Sequence, residues 1–183
     1  MDTLWKTALW QQFGAAIDML EAALLACPDT HWNGLIWRDS KDPEYAKFWS
    51  ITHHTLFWLD FYLAGSLAEF APPTPFTVNG PAPGRVLPAQ PYTKDELHLY
   101  LMNLRKKCQA TIVGLSDEKA RQPVHVPWLG EEPMSFLELL LHTMRHTQEH
   151  ATQLNLFLGQ NNIAEASDWI SHAKTDEDAE EAP

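Results

Sequence analysis

Apolar residues recur at three- and four-residue steps in four long segments of the chain, which is the spacing of amphipathic helices. In the first segment Trp5, Leu9, Phe13, Ala16, Leu20 and Leu24 form one stripe from about Thr3 to Cys27, and Pro28 closes it. The second opens on Asp42-Pro43-Glu44. Asp42 suits an N-cap and Pro43 the first helical position. This segment carries Trp49, His54, Trp58 and Phe61 on to about Gly65. The third starts at Thr93, with Glu96 three residues on, and runs to about Gly114. The fourth starts at Ser135, with Glu138 in the same relation, and runs to Leu158 before Gly159. Both starts have the capping-box pattern, and Gly159 reads as a C-terminal stop.

Between the second and third segments, Ala71 to Pro91 holds seven of the thirteen prolines. That density excludes a helix interior and predicts a long connection, of the kind that wraps between distant helix ends. Short helical turns are expected around Ser116–Arg121 and Ile163–Ile170. Thr77-Val78 and Val124-His125-Val126 are expected to be short extended pieces. No internal repeat is visible. The pattern predicts an all-α four-helix bundle over residues 1–160, with a C-terminal extension over 161–183.

Composition narrows the class. A chain of 183 residues with 45 % hydrophobic residues supports one globular domain. Thirteen Lys and Arg against 24 Asp and Glu give −11. That balance argues against binding nucleic acid or an anionic membrane. Five of the acids, Asp176, Glu177, Asp178, Glu180 and Glu181, stand at the end of the chain, which reads as a solvated, disordered tail. No run of about 18 apolar residues predicts a membrane span. No basic-then-apolar leader is visible. Cys27 and Cys108 make no disulfide framework and no C-x-x-C pair, so a cytoplasmic setting is expected.

The nine histidines carry the chemical signal. The inward stripe of the fourth segment reads Phe136, Leu139, Thr143, His146, His150, Leu154, Phe157. His146 and His150 therefore stand one turn apart and roughly 40° apart around the axis, placed to hold one ion from the same side. The second segment offers His53 or His54, and periodicity alone does not choose between them. One of them facing inward would complete three imidazoles with an open fourth position, the catalytic arrangement for zinc. Nickel, iron or copper would also suit it. Taken alone, each histidine has an ordinary reading as a hydrogen-bonded core group. His142 stands one turn before His146, flanking the site or at the helix edge. Glu149 is a second-sphere acceptor, a general base or a solvated charge. His31, His98, His125 and His172 form no useful spacing. Trp5, Trp10, Trp49 and Trp58 read as core. Trp32, Trp37 and Trp128 fall in loops, where they line a pocket or seal a bundle end. Phosphate loops, nucleophile elbows and paired Glu-x-x-His motifs are absent.

His54-Thr55-Leu56-Phe57-Trp58, together with Arg145-His146-Thr147-Gln148-Glu149-His150-Ala151-Thr152-Gln153-Leu154, resembles the DinB-like superfamily. The resemblance covers roughly residues 3–160. It implies a four-helix bundle with an up-up-down-down arrangement and a long crossover in the Pro-rich segment. It also implies a divalent metal, zinc or nickel foremost and iron or manganese as options, held by His54, His146 and His150. Related proteins include thiol S-transferases that act with low-molecular-weight thiols, and maleylpyruvate isomerases; homodimers are frequent among them. Gly159 stands where such proteins commonly have Arg, and Glu149 where they have a small residue or His. The expectation is a metal-dependent enzyme, thiol S-transferase or hydrolase, acting on a small molecule, with Glu149 handling protons. The alternatives are a metal- or ligand-binding protein without turnover, and a plain bundle with satisfied core histidines.

Overall fold

The computed structural model describes residues 3–66, 70–76, 87–163 and 169–175. The chain is all-α. Its helices are α1 (Thr3–Ala26), α2 (Phe48–Ala64), α3 (Lys94–Val113), the short α4 (Asp117–Arg121) and α5 (Phe136–Gln160). The one sheet among the described residues is a two-stranded antiparallel pair, β1 (Pro123–Val124) with β2 (Met134–Ser135). Of the two extended pieces expected, Val124-His125-Val126 contributes only Val124 to a strand, as the end of β1, and Thr77-Val78 lies outside the described residues. The expected turn at Ile163–Ile170 falls largely outside them, as does the acidic end.

Both capping boxes form. Thr93 Oγ1 accepts from the Glu96 N–H, and Glu96 Oε2 accepts from the Thr93 N–H at 2.8 Å. Ser135 and Glu138 repeat the exchange at the start of α5. The start of the second helix differs from the expectation. Asp42-Pro43 opens a separate 3-10 turn over Pro43–Ala46, and Asp42 makes no side-chain cap. Lys47 is extended and bridges to Leu35, so α2 begins one residue later, at Phe48. Gly159 likewise does not stop α5. The left-handed position falls on Asn162, with φ 57°. The Asn162 N–H donates to the Gly159 carbonyl and the Ile163 N–H to that of Leu158, a Schellman closure with Asn in the glycine role.

Helices α1 and α2 each pack against both α3 and α5. The buried aromatic residues Phe13, Trp49, Phe57, Tyr100 and Phe136 fill the space between them. Trp5, expected in the core, is 68 % exposed: it lines a surface cleft with Ala120 of α4 and Leu141 of α5, and the stripe is buried only from Leu9 onward.

Side-chain pairings fix the helix directions. Lys6 bonds Val113, Asp18 pairs with Arg105, and Glu21 with His98, so α1 and α3 are antiparallel. His53 lies on Tyr92, just before α3, whereas Asp60 meets Tyr100 and Lys107, so α2 and α3 are parallel. Phe48 meets Phe157, His54 meets His146, and Tyr62 meets His142, so α2 and α5 are antiparallel. The order is therefore up-down-down-up, not the up-up-down-down that the resemblance implied. The reason lies between α1 and α2. The Phe48 N–H donates to the Gly34 carbonyl and the Trp49 N–H to that of Trp32. This connection folds back on itself, so α2 starts where α1 stopped and must return.

Asp18 is fully buried, and Arg105 Nε donates to its Oδ1 at 2.7 Å. Removing one partner strands the other charge in the interior, at a cost of about 3–5 kcal/mol. Arg105→Met is expected to lose stability on that scale in urea denaturation, and a loss under about 1 kcal/mol would contradict the role assigned to the pair.

Candidate metal centre

Helix α5 presents its predicted stripe as expected. Phe136, Leu139, Thr143, Leu154 and Phe157 are buried, and His146 and His150 occupy the same face, half-buried, at its middle. Thr143 and Thr147 donate their hydroxyls to carbonyls one turn back, so these small polar neighbours need no further partner. Helix α2 sends its adjacent histidines to opposite sides. His53 is buried toward α3, its ring 5.9 Å from Phe76 and 4.7 Å from Tyr92. His54 faces α5. Asp60 on the α3 side holds the helix in this rotation by accepting from Tyr100 Oη at 2.7 Å and Lys107 Nζ at 2.5 Å.

Three Nε2 atoms converge as a result. His146 Nε2 is 3.3 Å from that of His54 and 3.1 Å from that of His150. One ligand atom from each of the three lies within 4.8 Å of the other two. Nitrogens bound about 2.0–2.1 Å from a single tetrahedral zinc stand roughly 3.3 Å apart, so the spacing fits one ion.

The protonation pattern fits as well. Glu149 carries a carboxylate, which only accepts, and Gln153 Nε2 points at its Oε1 at 3.4 Å. This contact turns the amide so that Gln153 Oε1 faces His150 Nδ1, at 2.8 Å. An amide oxygen there requires Nδ1–H, which leaves a lone pair on His150 Nε2, aimed at the other two rings. Burial, together with the neighbouring imidazoles, pushes His54 down to about 2. Burial and the nearby His150 and His142 push His146 down to about 3. Burial also lowers His150, against the opposing effects of Gln153 and Glu149. Neutral imidazoles are the form that ligates a metal.

His142 flanks this cluster without joining it. Its ring lies 6.5 Å from that of His146 and 5.5 Å from Tyr62. Trp58 stands edge-on to His54, and Trp128 packs on Trp58 at 5.2 Å while donating Nε1–H to the Tyr62 hydroxyl. Trp128 thus builds a wall beside the site from a loop, whereas Trp32 is buried against the Tyr92 carbonyl. On the other side, a cleft of about 610 Å³ between α1 and α5 reaches His146, and Glu149 and Gln153 also line it. Glu149 itself is exposed. Both cysteines are buried and free; burial pushes Cys27 up to about 12 and Cys108 up as well, so neither supplies a thiolate. Gln153 belongs to no recognisable chemical pattern in the sequence; its one signal is its place three residues after His150, on the same helical face.

The fold and site together define an all-α protein with a three-histidine cluster able to hold a metal ion. The DinB superfamily profile matches residues 12–154, and the chain belongs to that superfamily. No curated protein and no solved structure matches it significantly. None of the described helices is long and apolar enough to cross a membrane.

Two outcomes are expected. His53, held by burial at about 4, and the three clustered histidines are all depressed below the ordinary value near 6.5. The unfolded chain therefore binds more protons than the folded one below about pH 6.5, and stability is fully present only above that pH. Urea titrations of chelator-treated protein should show stability falling steadily from pH 6.5 toward pH 4, and a flat profile would contradict the burial of these rings. In competition titrations, Gln153→Leu should weaken zinc binding about tenfold or more, with Gln153→Glu retaining it.

Proposed function

We propose that the protein is a metal-dependent enzyme that uses His54, His146 and His150 to hold one divalent cation, zinc or nickel foremost. In this reading the four long helices form one bundle, with the Pro-rich segment crossing back along α2 to the start of α3. The supporting observation is the convergence of three Nε2 atoms at single-ion spacing beside a cleft that reaches one of them, His146.

When bound, a divalent metal supplies Lewis acidity that lowers the pKa of a thiol or water and yields a nucleophile at neutral pH. The chain's own groups set the conditions. Gln153 orients His150 and holds its proton on Nδ1. Trp58 and the Trp128 wall limit water on the α2 side. Glu149, exposed in the cleft three residues after His146, is the carboxylate placed to accept a proton from the reacting group. The reaction class is transfer of a small thiol to an electrophile, with hydrolysis as the variant in which water takes the thiol's place.

Metal analysis of untagged protein is expected to find near-stoichiometric zinc or nickel in wild type and none in His146→Ala. The variant should also lose any zinc-induced rise in melting temperature. Metal bound equally by both would overturn the ligand assignment. With the metal site established, thiol consumption against an electrophile panel decides the rest: metal-dependent turnover that falls in Glu149→Gln supports the enzyme, and none with any thiol or with water leaves a metal-binding protein.

A further inference from the structure

Residues 169–175 lie as a strap on α1. The Ala173 N–H donates to the Gln11 carbonyl at 3.0 Å, and Gln12 Nε2 donates to that of Ser171 at 3.1 Å. The tightest anchor is the buried ion pair. The Lys174 N–H donates to Asp18 Oδ2 at 2.6 Å, and Arg105 Nη2 donates to the Lys174 carbonyl at 2.7 Å. The strap thus supplies one hydrogen bond to each of the two charges that α1 and α3 bury. Close approach is possible because residue 14 is glycine: a Cβ there would stand 2.4 Å from Ala173 Cβ.

Anchored this way, the strap sets Trp169 and Ile170 along the cleft that reaches His146. Ala15 and Ala16 of α1 line it on one helix, and Arg145 and His146 of α5 on the other. Trp169 is 70 % exposed, a large indole face turned to solvent beside the cleft. Arg145 is exposed and has no hydrogen-bond or ion-pair partner among the described residues. Its charge is felt by the neighbouring His142. Glu149 lines the same cleft one turn further along α5, which confines an anion to the Arg145 end. In a chain of net charge −11, a guanidinium without an ion-pair partner among the described residues, next to an apolar wall and a histidine cluster, suits recognition of an anionic group.

Resting on the metal-centre reading above, we propose that this cleft is the substrate subsite of that centre. It takes a small molecule with an anionic group on Arg145 and an apolar body against Trp169 and Ile170. The strap is a structural part of the subsite, held in place from the Asp18–Arg105 pair.

The test uses zinc-loaded full-length protein, with 2-naphthoate and the neutral 2-naphthamide as probes in calorimetry. Arg145→Gln should weaken naphthoate about tenfold, the scale of one charge-assisted hydrogen bond, leave naphthamide unchanged and be partly rescued by Arg145→Lys. Trp169→Ala should weaken both probes. Gly14→Ala favours the helix but forces Ala173 away, so it should weaken both probes while cooperative melting persists. Zinc content should be the same in every variant. No naphthoate binding to wild type, equal affinity in Arg145→Gln, or unchanged binding in Gly14→Ala would each overturn the proposal and leave the metal centre standing. Arg145-dependent naphthoate binding by protein that retains no zinc would instead support the cleft and overturn the metal-centre reading.

Discussion

Three imidazole nitrogens that meet 3.1 and 3.3 Å apart in a half-buried setting impose a condition on everything around them. With the His150 lone pair turned inward, bare nitrogens on the other two rings would repel it at that distance, and the low local dielectric would strengthen the repulsion. A cation at the centre resolves it, and neutral rings with fixed tautomers are what a cation needs. The surroundings meet that need by burial and by one hydrogen-bonded chain, from the Glu149 carboxylate through the Gln153 amide to His150 Nδ1. A solvated glutamate on the helix surface thereby acts on the ring through an amide whose orientation it sets.

The helix order follows from bringing those rings together. His54 meets the pair on α5 only because α2 and α5 are antiparallel neighbours, and α2 takes that direction because residues 32–36 hydrogen-bond back onto the start of α2. Helix α3 then runs parallel to α2, and the prolines in the sequence between them bar either helix from extending. On the far face of α2, the Asp60 contacts with Tyr100 and Lys107 set the rotation that sends His53 one way and His54 the other.

The buried ion pair of Asp18 with Arg105 links stability to the cleft. A buried ion pair needs its remaining hydrogen-bonding capacity filled, and the backbone of Lys174 fills part of it. Residues 169–175, beyond the last helix, are therefore tied to α1 and α3 as firmly as many loops inside a domain. The histidine cluster and the anchor lie on different helix pairs, α2 with α5 and α1 with α3, and the cleft along α1 and α5 lies beside both.

The sequence by itself determined the parts whose physics is local. The two capping boxes and the stripe of α5 with two histidines in its seam depend on residues within one or two turns, and they are found where the pattern puts them. The choice between His53 and His54 came from resemblance, because adjacent residues on a helix differ by about 100° and either could face inward. The tertiary structure decided what depends on distant partners. It fixed the up-down-down-up order through backbone bonds across the connection between α1 and α2. It moved the start of α2 to Phe48 through a bridge between Leu35 and Lys47, and left Trp5 exposed in a surface cleft beside α4. It also gave Gln153 its partner and Arg145 its cleft, since hydrogen bonds and clefts are made by whichever side chains the packing brings within reach.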